Sequence, residues 1–90
     1  MNKTPKASSR VILRVEDDQW AILFDPDTGG TFGLDPVSRF IWDRLDGINT
    51  LNAIENQLRT ECPDTPSSAG EDIREFVEQL KRKDLLEETP

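Results

Sequence analysis

Ninety residues, 34% apolar and 32% charged with a mean hydropathy of −0.62, make a single soluble domain with one modest core. No apolar run approaches the roughly 20 residues of a membrane span, and no apolar stretch follows Lys3 and Lys6 to form a secretory signal, so a cytoplasmic protein is expected. The net charge is −7 although residues 1–15 hold four basic residues (Lys3, Lys6, Arg10, Arg14) and no acid, and so acidic a remainder repels nucleic acid and suits a basic peptide or protein surface.

Residues 1–9, "MNKTPKASS", lack periodicity and large apolar side chains and read as a flexible tail, which leaves one domain over residues 10–88. The first strand alternates Val11, Leu13 and Val15 with Ile12 and Arg14. After the polar turn at Asp17-Asp18, a second strand sets Trp20, Ile22 and Phe24 against Ala21 and Leu23. "DPDTGG" is a strong turn, with Pro26 presetting φ and Gly29-Gly30 allowing positive φ. "TFGLD" follows as a short third strand.

Three helices come next. Asp35 caps the first, with Pro36 at its opening, a stripe of Val37, Phe40, Ile41 and Leu45, and an exit at Gly47. Trp42 lies at the edge of that stripe and reads as packing rather than binding. Thr50 caps the second helix, which buries Leu51, Ile54 and Leu58 and ends near Cys62-Pro63. Ser68 and Glu71 form a capping box for the third, whose stripe is Ile73, Phe76, Val77 and Leu80, with Leu85-Leu86 tucking back. The fold class is α+β, a three-stranded antiparallel sheet followed by three helices. The expected core is Val11 or Ile12, Leu13, Ile22, Phe24, Leu34, Phe40, Ile41, Ile54, Leu58, Ile73, Val77 and Leu80.

Nothing in the chain points to catalysis. It has no histidine and no tyrosine, and Cys62 has neither a partner to activate it nor a helix N-terminus beside it. The acids in the turns have conformational roles, "DPDTGG" lacks the further oxygens of a calcium loop, and no phosphate-loop lysine follows the glycines. No catalytic residue, cofactor or metal site is expected.

The run "WAILFDPDTGGTFGLDPVSRFIWDRLDG" resembles the PqqD-like family, which are RiPP recognition elements found also as small stand-alone proteins in lasso-peptide clusters. The family's motif places are taken by Leu34-Asp35, Ile41-Trp42, Gly47 and Thr50, then by Asp72-Ile73, Phe76-Val77, Leu80 and Asp84-Leu85-Leu86. The resemblance covers about residues 11–87. It departs at Asp84, where the family often has glycine, which leaves the exit from the third helix open.

The resemblance implies a winged helix-turn-helix-like domain that binds the leader segment of a ribosomally made precursor peptide and delivers it to a modifying enzyme or leader peptidase. It implies an added edge strand beside Thr31, Phe32, Gly33 and Leu34, in a groove whose other wall is the third helix. Matching the family motif selects the Asp72, Phe76 and Gln79 border of that helix. The residues themselves fit, because a short edge strand leaves backbone groups for a partner. Gly33 either admits that partner or relieves crowding under a core aromatic. Glu71, Asp72, Glu75 and Glu78 either meet basic leader residues or form a solvated face. Two other classes share this element pattern. One is a small regulatory or scaffold subunit of an enzyme, and the other is a winged-helix DNA-binding protein, whose recognition helix should be basic.

Overall fold

The computed structural model describes residues 4–18 and 20–87. A two-residue strand, β1 (Lys6–Ala7), precedes three longer ones, β2 (Ile12–Val15), β3 (Ala21–Phe24) and β4 (Thr31–Leu34). The helices α1 (Pro36–Trp42), α2 (Leu51–Glu61) and α3 (Ala69–Arg82) follow, and a short β5 (Leu86–Glu87) ends the described chain. Strands β2, β3 and β4 make the expected antiparallel meander, in that spatial order. Across its first turn Glu16 N–H donates to the Trp20 carbonyl, while the Asp17 carboxylate accepts from Trp20 N–H. The second turn closes where Asp25 N–H donates to the Gly30 carbonyl at 2.9 Å, and Gly29 supplies the positive φ of 76°.

The helix starts follow the sequence, with one exception. Asp35 accepts from Ser38 N–H at 2.7 Å and Thr50 from Ala53 N–H at 3.1 Å, satisfying amides that the first turn leaves free. The box expected at α3 does not form. Ser68 has helical backbone angles, and its hydroxyl meets the Asp72 carboxylate instead.

The tail and the first helix end both differ from expectation, for a shared reason. Residues 6 and 7, read as tail, pair with β5 in register Lys6↔Glu87 and Ala7↔Leu86. The same segment claims the chain after α1: Ala7 N–H donates to the Leu45 carbonyl and Gly47 N–H to the Pro5 carbonyl. The Asp46 carboxylate accepts from Ile48 and Asn49 N–H. With residues 45–47 so engaged, α1 stops at Trp42 and not at Gly47. Residues 1–3 lie outside the described chain.

The core lies between the sheet and the helices, with Leu23, Leu34, Ile54, Ile73 and Leu80 fully buried among Ile41, Trp42, Leu58, Phe76, Val77 and Leu85. The buried face of β3 is Ala21 and Leu23, which corrects the expectation of Ile22 and Phe24. Phe24 is 38% exposed, Ile22 half-buried, and Ile12 and Trp20 are exposed. Register decides this. Leu23 sits opposite Phe32 and Ala21 opposite Leu34, and Asp35 turns the chain from Leu34 straight into α1 on that side. The period of two then sends Ile22 and Phe24 to the open face. Leu13 and Phe40, also expected in the core, are half-buried, Phe40 under the Arg44 guanidinium.

Candidate functional site

Strand β4 is one edge of the meander, and the register shows which of its backbone groups are free. In an antiparallel ladder, bonded pairs alternate with non-bonded pairs. Asp25 and Gly30 form a bonded pair, so the next two are Leu23–Phe32 and Ala21–Leu34. The Glu16–Trp20 bond across the other turn requires the same alternation on β3. The N–H and C=O groups of Phe32 and Leu34 therefore serve β3, while those of Thr31 and Gly33 point to the open edge. No hydrogen bond among the described residues occupies them.

Helix α3 forms the second wall. The Phe32 and Phe76 rings stand 5.9 Å apart, tilted by 56°, and Lys83 Nζ lies 5.9 Å over the Phe32 ring. At about 3.6 residues per turn, Asp72 and Gln79 fall on this same border of α3, and both are exposed. The opposite border faces α2: a Cβ on Gly70 would lie 2.6 Å from Glu55 Oε1. The geometry thus brings Phe32 against Phe76, with Asp72 and Gln79 on the same border by helical spacing, and leaves Thr31 and Gly33 with open backbone groups. Leu34, counted among the site residues from sequence, is wholly buried and belongs to the core. Nothing lies within 4 Å of where a Gly33 side chain would begin, so this glycine does not relieve crowding under an aromatic.

Arg10 holds the two walls at one end. It donates to both oxygens of the buried Asp25 carboxylate (3.3 and 3.1 Å) and to the Asp84 carbonyl at 2.6 Å, and it pairs with Asp27 and Asp84. Asp84 leaves α3 with φ 58°, so it takes up the left-handed backbone that glycine supplies elsewhere in the resembled pattern. The hydrogen bond from Arg10 holds the Asp25 carboxyl below the usual carboxylate range despite its burial. Asp25 in turn holds Arg10 above its ordinary value.

Residues 21–86 match the family model for coenzyme PQQ synthesis protein D (PqqD). The chain belongs to the PqqD family. No curated protein matches it. Among solved structures it is similar to TbiB1 in complex with the TbiA(beta) leader peptide, at a TM-score of 0.77 and 29% identity. That match covers 94% of this chain and 98% of the other.

Within this PqqD-family chain, sequence reasoning left two site features unassigned. Lys83 shares the helical border of Asp72, Phe76 and Gln79 by spacing, but only its approach to the Phe32 ring brings it beside the strand. Arg10 carried no local signal, because its partners lie 15 and 74 residues away. Among the described residues no three His, Cys, Asp or Glu side chains gather as a metal site would require, and no helix is long and apolar enough to cross a membrane.

Proposed function

We propose that the protein recognises the leader segment of a ribosomally made precursor peptide, taking it up as a fourth strand along β4 and presenting it to a modifying enzyme or leader peptidase. The observation that carries this reading is the open edge itself. Thr31 and Gly33 offer two N–H and two C=O groups to an extended chain, beside a groove floored by Phe32 and Phe76. Backbone pairing supplies affinity in such strand addition, and alternate side chains entering the groove supply selectivity. Family membership and the likeness to a leader-peptide complex support it further. The domain has no catalytic role in this reading, and its acidic α3 face opposes nucleic acid.

The test is amide chemical-shift mapping of the labelled protein during titration with peptides taken from a selected display library. Shifts concentrated on residues 31–35 and 72–83 support strand addition at β4. Shifts confined to the β2–β3 turn or to α2 refute it.

A further inference from the structure

The charges beside the groove are ordered along it. Arg10 joins the Asp84 carbonyl, just beyond the end of α3, to Asp25 and Asp27 in the turn that leads into β4. The C-terminal end of α3 therefore lies at the Thr31 end of the strand, and its first turns lie toward Leu34. Phe76 and Lys83 both reach Phe32. Asp72 is one turn before Phe76 on the same border, about 6 Å along the helix axis. The groove thus carries an acid toward its Leu34 end, an aromatic pair at its centre, and the Lys83 ammonium over the Phe32 ring on the side toward Thr31. The acids at that end, Asp25, Asp27 and Asp84, are already paired with Arg10. Gln79, the other exposed residue of this border, is uncharged.

A strand added to β4 turns every second side chain into the groove, at intervals of about 6.8 Å. That interval matches the Asp72-to-Phe76 step. Both existing ladders of the meander are antiparallel, and this pairing is slightly the more stable. An antiparallel fourth strand begins beside Leu34 and ends beside Thr31.

We propose that the groove selects its peptide by charge order as well as by apolar content. From amino to carboxyl end, the preferred segment carries a basic side chain, then an apolar or aromatic one, then an acidic one, at alternate positions. Asp72 meets the first, the Phe32–Phe76 pair the second and Lys83 the third. This rests on the strand-addition reading above. The acidic helix does not simply collect basic peptides, because Lys83 rejects a basic group at the Thr31 end.

A phage-displayed random library of about twelve-residue peptides tests it, selected in parallel on the full chain and on the D72K/K83E variant. The wild type should enrich the basic-x-apolar-x-acidic order, and the variant the reverse. Synthetic copies of enriched peptides should lose roughly two- to fivefold in affinity for each charge inverted, the range of exposed ion pairs. Both substituted residues are exposed, and a thermal melt checks that the variant folds. Should it not, D72N and K83Q replace it, and the order should relax at the corresponding position. Peptides that map to β4 without charge order, or with an order unchanged in the variants, overturn the proposal and leave strand addition standing. Peptides that map elsewhere, or a library that yields none, overturn strand addition itself.

Discussion

Proline substitution separates the two kinds of amide on β4. A proline deletes one N–H, so its effect depends on where that N–H points. Thr31→Pro and Gly33→Pro remove donors from the open edge, and each should weaken peptide binding by about 2–10-fold, the worth of one ladder bond, with little change in melting. Phe32→Pro removes a donor to β3 and should lower the melting temperature of the free protein. Calorimetry on the three variants checks the melting outcomes, and on the first two the binding outcome as well, since Phe32→Pro also deletes a ring of the groove. A melting temperature lowered as far at 31 and 33 as at 32 would contradict the alternation. Asp25 gives a second prediction at this scale. Unfolded, it protonates near about 3.9, whereas in the fold the Arg10 hydrogen bond keeps it ionised to lower pH. Across that window the unfolded chain binds the extra proton, so the contribution to stability is complete above about pH 5 and is lost as pH falls through the folded value. Asp46, held low by N–H bonds from Asn49 and Ile48, adds a slope of the same sign. Asp25→Asn should melt lower at neutral pH and show a flatter decline between about pH 5 and 2, and an unchanged slope would show that Arg10 gives Asp25 no special hold.

At the scale of elements, the strands and helices were legible because each had local chemistry: alternation in β2 to β4, Asp35-Pro36 and Thr50 at helix starts, and a stripe in α3. The face of β3 was not legible. Size favoured Ile22 and Phe24 for the core, yet facing is set by pairing with Phe32 and Leu34, information held by another strand. Leu23→Ala should therefore cost about 2–5 kcal/mol by opening a cavity, whereas Phe24→Ser should stay within about 1 kcal/mol. Urea melts that ranked these two the other way would restore the sequence expectation. The short strands β1 and β5 were invisible for a related reason. Two residues hold no period, and their pairing spans nearly the whole chain. For the site, the edge strand and the Phe76 border could be read from pattern and resemblance, while the roles of Arg10 and Lys83 required the fold.

The whole molecule leaves one side of the meander uncovered, so Ile12, Trp20 and Phe24 meet solvent while every helix lies on the other side. Polar substitutions there should leave the melting temperature nearly unchanged, in contrast to any at Leu34 or Leu80. The β1–β5 pair has a different consequence. Because Lys6 and Glu87 are Cα partners, the beginning and end of the described chain meet at one spot, secured by the Ser8 amide on the Leu85 carbonyl and the Lys6–Glu87 ion pair. The order in which the sequence is written is then nearly arbitrary to the fold. A circular permutant that joins these ends by a few flexible residues and opens the chain at the exposed Pro63-Asp64 should fold and keep its groove. By the same geometry the domain could be spliced into a surface loop of a larger protein, entering and leaving at neighbouring points, with β4 still open to a passing strand.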